Sequence, residues 1–292
     1  MTDSAGPTTT VLPAAPALPP LLARGALLSP FKRPRPDAAF PRTRLVLPLP
    51  RLDLSHLTAY ERVCGFPTGA DALPVTYPHV LGFPAALRLM SDRRFPLPLL
   101  GLVHTSIDIT RHTPLRLDAR YELAVRVAGL SPHRRGTEAR VVTELREGGA
   151  VVWESVSTFL ARHRTGTAAA RGEAPDARPV LPARAEWQLA GDVGRRYATV
   201  SGDHNPIHLH PLTARLFGFP RAIAHGMWTV ARALAAHGTP DAVRVRAEFR
   251  APVLLPGVVE YAAEGDRFEL RGRDGKLHLA GSVEGVAPGG RR

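Results

Sequence analysis

The chain holds 292 residues, 44% of them hydrophobic, enough for about two domains that each bury a core. Its single cysteine, Cys64, excludes an intrachain disulfide framework and a cysteine-rich zinc module, and makes a reducing cytoplasm the expected setting. The formal charge is +12, and of the 38 basic residues only Lys32 and Lys276 are lysine. An arginine excess of this kind reads either as a surface for nucleic acid, an acidic carrier protein or phosphate-bearing ligands, or as the residue usage of GC-rich coding. The arginines form no run and no aromatic-interleaved motif, so coding is the simpler account and nucleic acid is not an expected partner.

Residues 1–41 are rich in Pro, Ala and Leu without helical periodicity, and read as a disordered tail. The apolar stretch 11–28 is broken by Pro13, Pro16, Pro19, Pro20 and Arg24 and lacks a basic flank and a small-residue cleavage site, so neither a membrane span nor a secretory leader is expected. A first unit, 42–163, carries a short helical candidate over 84–90 and alternating runs over 103–109, 121–127, 139–145 and 151–159. Glu147-Gly148-Gly149 is the expected hairpin turn between the last two.

Residues 164–180 have the composition of a linker, and 287–292 that of a flexible tail. Between them, the second unit, 181–286, begins with a dense polar cluster over 197–211. An alanine-rich helix over 224–237 follows, with Met227, Val230, Ala231 and Leu234 at helical spacing and Gly238 and Pro240 as its stop. Four alternating runs come next, over 243–249, 258–262, 268–270 and 279–283, with Asp274-Gly275 as a tight turn. Tyr60-x-x-Val63-Cys64-Gly65-Phe66 lines up with Tyr197-x-x-Val200-Ser201-Gly202-Asp203, and the same helix-then-strands order follows both. The halves therefore read as a duplicated α+β unit, a helix packed on an antiparallel sheet, with two such sheets able to pair at their edges.

Chemistry concentrates in the second unit. Asn205 followed by Pro206 is a helix start: Asn caps free backbone N–H groups, and Pro fits the first helical position because its missing donor is not needed there. His208 then falls in the first turn and Asp203 just before it, so a carboxylate and an imidazole share one small volume, the parts needed to move a proton and hold a water. A second helix start at Ala224-His225-Gly226-Met227 lets a ligand approach the backbone closely through glycine, and its free N–H groups can stabilise an oxyanion.

The run Tyr197-x-x-Val200-Ser201-Gly202-Asp203-x-Asn205-Pro206-Ile207-His208, continuing through Phe217-Gly218-Phe219-Pro220 and Ile223-Ala224-His225-Gly226-Met227, closely resembles the MaoC-like dehydratases, or (R)-specific enoyl-CoA hydratases (hydratase 2). Phe249-Arg250-x-Pro252-Val253-x-x-Pro256-Gly257 is similar to the strand and turn that follow their central helix. The resemblance implies a double hotdog fold and reversible dehydration of (3R)-3-hydroxyacyl thioesters in fatty-acid or polyketide-type metabolism. It implies a catalytic pair of Asp203 and His208, water and oxyanion support from Asn205 and Gly226, and no resident cofactor or metal. Coenzyme A or an acyl carrier protein enters only as carrier of the substrate, and a homodimer or heteromer of hotdog units is the candidate assembly. The first half, with Phe66 in place of Asp203 and no Asn-Pro-x-His, resembles the degenerate hotdog of two-hotdog members, where the acyl chain is accommodated. Phe66, Ser201, His225 and Met227 are the further candidate substrate-binding residues.

Other readings compete. His204, His208, His210 and His225 invite a zinc site, but no His-Glu-x-x-His and no neighbouring cysteine support one. Ser201 lies outside a Gly-x-Ser-x-Gly elbow, which argues against a serine hydrolase. A hotdog acyl-thioesterase and a non-catalytic acyl-thioester-binding subunit are the alternative functions, because this fold hosts several acyl-thioester chemistries.

Overall fold

Alternating burial along the strands builds the sheet. In Val243–Phe249, for instance, Val243, Val245 and Ala247 are buried while Arg244 and Arg246 face outward. The computed structural model describes residues 8–165 and 180–287. Its first half contains β1 (Thr9–Val11), α1 (Leu18–Leu28), a 3-10 turn at Ser29–Phe31, β2 (Arg44–Leu49), α2 (Leu54–Cys64), α3 (Tyr77–Met90), β3 (Leu102–Arg111), β4 (Tyr121–His133), β5 (Gly136–Glu147) and β6 (Ala150–Arg162). The second contains β7 (Ala183–Leu189), α4 (Val193–Ser201), α5 (Pro206–Leu209), α6 (Pro211–Leu216), α7 (Gly226–His237), β8 (Val243–Phe249), β9 (Gly257–Glu264), β10 (Arg267–Gly272) and β11 (Leu277–Gly285).

All the strands join one sheet in the order β1-β2-β4-β5-β6-β3-β8-β11-β10-β9-β7. Apart from β1, each half uses the same internal order: first strand, third, fourth, fifth, second. The duplication read from sequence is thus a duplication of topology, and the fold is a double hotdog of the α+β class. The halves meet where β3 pairs antiparallel with β8, Ile107 opposite Ala247 and Ile109 opposite Val245. This junction satisfies two edges that would otherwise be exposed, and Arg244 grips Asp108 across it with bonds of 3.0 and 2.6 Å. The aligned Tyr60 and Tyr197 also face each other, their ring centroids 6.3 Å apart. Gly148 and Gly149, at φ +56° and +86°, form the expected β5–β6 hairpin turn.

The central helices are α3 and α7. Helix α7 buries Met227, Val230, Ala231 and Leu234 against the sheet, as their spacing predicts. Helix α3 starts at Tyr77, earlier than the 84–90 expected, and runs through Pro84. A proline inside a helix loses a hydrogen bond; here Val80, Ala85, Leu87, Leu89 and Met90 bury enough apolar surface to hold the helix together.

Residues 8–41 depart from the disordered tail expected. β1 pairs parallel with β2, Thr9 opposite Arg44, and Leu12 is buried. In α1, Pro19 and Pro20 occupy the first turn, where missing donors cost nothing, and an apolar stretch follows that finds a surface to cover. Most of the linker expected over 164–180, namely 166–179, lies outside the described residues, as do residues 1–7 and 288–292. No described helix is long and apolar enough to cross a membrane.

Candidate active site

Helix α4 ends at Gly202, whose φ of +73° lets the chain turn sharply out of the helix. Asp203 follows, its N–H bonded to the Ser201 Oγ at 3.2 Å and its own Oδ1 accepting the Asn205 N–H at 3.2 Å. Asn205 caps α5 by accepting the Ile207 N–H, as the Asn-Pro pair predicts. Local sequence therefore sets both the path of this loop and the orientation of the Asp203 carboxylate.

His208 on α5 is buried, with Nδ1 2.8 Å from the Ile223 carbonyl oxygen. A carbonyl only accepts, so Nδ1 carries the hydrogen and the neutral ring keeps a lone pair on Nε2. Burial holds its pKa below the usual 6.5, opposed in part by the Asp203 charge and the Ile223 bond. By the same reasoning His225 Nε2 donates to the Asp203 backbone oxygen at 2.9 Å, and it lies 3.8 Å from the carboxylate. Burial and the neighbouring His208 push the His225 pKa down to about 3. The two rings stack with centroids 3.6 Å apart, and Tyr197 packs 5.0 Å from His225. One side-chain oxygen or ring nitrogen from each of Asp203, His208 and His225 lies within 4.8 Å of the others.

His225 precedes α7, so Gly226 opens that helix, where first-turn amides have no partner within the helix. A Cβ on Gly226 would come within 2.8 Å of the Phe249 ring, so only glycine leaves this amide open to a ligand without displacing that ring. Ser201, Asp203, Asn205, His208, His225, Gly226 and Met227 all line one cavity of about 1350 Å³. The first half supplies much of its wall, including Val80, Phe83, Leu87, Met90 and Phe159. Exposed Arg134, Arg135, Arg162, Arg250, Arg273 and Lys276 form its rim.

One sequence expectation, Phe66 as a substrate-binding residue, comes out differently. Phe66 does not line the cavity: the turn at Gly65 lays its ring on Tyr60, with centroids 6.3 Å apart. His204 is exposed with Nδ1 on the Gly202 carbonyl, and His210 caps α6, so these two do not gather with His208 and His225. Cys64, aligned with Ser201, is a buried thiol pushed up to about 12 by burial, as suits a core residue.

His79 on α3 and His104 on β3 were not visible as site residues, since each is a lone histidine on an apolar element. Both line the cavity, their rings 6.0 Å apart, and His104 lies between Phe159 and Phe249 at 4.5 and 4.8 Å. Burial lowers their pKa values to about 4 and about 3; the Asp203 charge works in the opposite direction on His79.

Residues 168–273 match the model of the MaoC like domain. The chain is 40% identical over 261 residues to 3-hydroxyacyl-thioester dehydratase X of Mycobacterium tuberculosis, covering 87% of this chain and 92% of that one. It is 35% identical over 97 residues to the peroxisomal enoyl-CoA hydratase 2 of Arabidopsis thaliana, covering 29% and 31% of the two chains. The crystal structure of HtdX of Mycobacterium tuberculosis superimposes with a TM-score of 0.73 at 37% identity, covering 83% of this chain and all of that one. With an Asp–His pair and a glycine-opened helix in one cavity, and that degree of identity across nearly two whole chains, this chain belongs to the MaoC-like dehydratase family.

Proposed function

We propose that the chain interconverts (3R)-3-hydroxyacyl thioesters and trans-2-enoyl thioesters by losing or adding water, as a hydro-lyase of fatty-acid or polyketide-type metabolism. The observation that carries this reading is the His208 ring, whose Nδ1–H is tied to Ile223 so that a basic Nε2 is left beside Asp203. In dehydration, His208 Nε2 takes a proton from C2 of the substrate. The thioester oxygen gains negative charge and receives the Gly226 N–H. Asp203 and Asn205 hold the C3 hydroxyl. As the C3–O bond breaks, the proton taken from C2 passes to the departing hydroxide, so that one water leaves and the His208–Asp203 pair returns to its starting state. Hydration is the reverse, and neither direction requires a cofactor.

The carrier is coenzyme A or an acyl carrier protein. The basic rim suits the phosphate that both carriers present next to the pantetheine arm. The free, buried Cys64 fits a cytoplasmic setting.

Incubating the purified chain with crotonyl-CoA and following enoyl absorbance beside thiol release tests the reading. Loss of absorbance without free thiol is the expected result. Thiol release with the enoyl group intact would make the protein a thioesterase, and turnover only after a partner is added would make it a binding subunit.

A further inference from the structure

Leu18, Leu22, Gly25 and Ser29 follow one another at intervals of four, three and four residues, which puts them on a single face of α1 and its 3-10 extension. This face is engaged along its whole length. At one end Leu18 sits against Gly202, beside the loop that carries Asp203, so closely that a Cβ there would collide with it. At the other, buried Gly25 lies against Leu99. Ser29 Oγ donates to the Gly25 carbonyl at 2.7 Å and accepts the Leu100 N–H at 3.0 Å. Lys32 Nζ then donates to the carbonyls of Asp92, Arg93 and Phe95 at 2.9, 2.8 and 2.6 Å.

Helix α1 is therefore fastened to the catalytic half at its start and to the first half at its end. Between the two anchors Leu22 enters the wall of the cavity, the only residue of α1 to do so among those described. It joins Leu99 and the α3 stripe of Val80, Phe83, Leu87 and Met90, whose spacing of three, four and three places them on one face of that helix.

We propose that Leu22 closes the apolar part of the cavity and thereby sets the length of acyl chain the enzyme accepts. A fixed side chain at this place limits the chain by volume, because a packed wall cannot yield without losing contacts on both sides. The assignment rests on the reading that the cavity holds an acyl thioester.

The test uses the full chain and trans-2-enoyl-CoA substrates from crotonyl to hexadecenoyl, comparing kcat/KM for wild type, Leu22→Ala, Leu22→Trp and Leu27→Ala. Leu27 lies on the outer face of α1, 74% exposed, and its variant should match wild type. Leu22→Ala should shift the preference toward longer chains. Leu22→Trp should lower turnover of the longest substrates roughly tenfold or more, while crotonyl-CoA is still hydrated near the wild-type rate. Profiles that stay unchanged, or that move in the same direction in both variants, overturn the role of Leu22; should the tryptophan variant fail to fold, the alanine variant alone decides. Failure of the wild type on every substrate would instead overturn the dehydratase reading.

Discussion

In the second half, α4 ends at Gly202 and the chain continues through Asp203 and Asn205 into α5, which delivers His208. In the first half, α2 ends at Gly65 in the same left-handed conformation, but Phe66 follows and no further helix forms before α3. The central helices differ at the same end: α7 opens with Gly226-Met227, whereas α3 opens with Tyr77-Pro78, where a proline has no N–H to offer. Aromatic packing occupies the first-half counterpart of the site. Tyr60 stacks with Phe66 and bonds the Thr76 hydroxyl at 2.7 Å, and Tyr77 reaches His56 at 2.8 Å. Two units of identical strand order thus differ in their proposed function through one loop and one helix start, because chemistry resides in a site carried by the fold.

The largest effect should come from the positions where the halves differ most. Asp203→Asn and His208→Ala should each lower kcat/KM for enoyl hydration by about 10²–10⁴-fold, the usual worth of a positioned acid–base group. The matching change in the first half, Phe66→Asn, should leave the rate constant unchanged. A comparable loss in the Phe66 variant, with its thermal unfolding unaltered, would give the first half a direct part in catalysis.

A smaller loss is expected at the helix starts. Gly226→Ala puts a methyl group against Phe249 and obstructs the oxyanion amide, and should lower kcat by about 10²-fold. Pro78→Ala, at the start of the first-half helix α3, should have no effect on kcat. Steady-state kinetics on both variants would sharpen the comparison, and equal losses would break it.

The most gradual effect is that of pH. Because burial holds the His208 pKa below 6.5, the acid limb of kcat/KM should lie below pH 6.5, where the ring gains a proton and loses its basic Nε2. Stability should fall in the same direction. His225 and His104 titrate at about 3 and His79 at about 4 in the folded chain, against about 6.5 once unfolded. Between these values the unfolded state binds more protons, so the folded state loses stability as pH drops through this range. A melting temperature that is flat or rises on acidification to about 4 would contradict this. His79 and His104 belong to the first half and His225 to the second, so His79→Phe, His104→Phe and His225→Phe variants would apportion the dependence between the two units.

Much of the candidate site is legible in the chain because it is local. Asn205-Pro206 specifies a helix start through capping and proline geometry, and that start brings His208 to the side of Asp203. Gly226 marks the mouth of α7, and the alternation of Val243, Val245 and Ala247 marks a half-buried strand. The register of Tyr60 with Tyr197 records the duplication, and the structure brings the two rings together at a tilt of 51°. All of these depend on neighbours a few residues apart, whose backbone hydrogen bonds and side-chain period are written in order along the sequence.

What only the tertiary structure decided is which distant segments share a surface. Pro-rich residues 8–41 carry no helical pattern in the sequence, yet they order because the assembled halves offer β1 the edge of β2 and α1 a seam to cover. Phe66 turns onto Tyr60 and away from the cavity, while His79, His104 and Leu22 line it. The sequence by itself thus determined the duplicated unit, the meeting of Asp203 with His208 and the glycine that opens α7. The walls of the cavity, and with them the proposed choice of acyl chain, depend on packing between residues far apart in the chain, where volume and contact, not local propensity, select the arrangement.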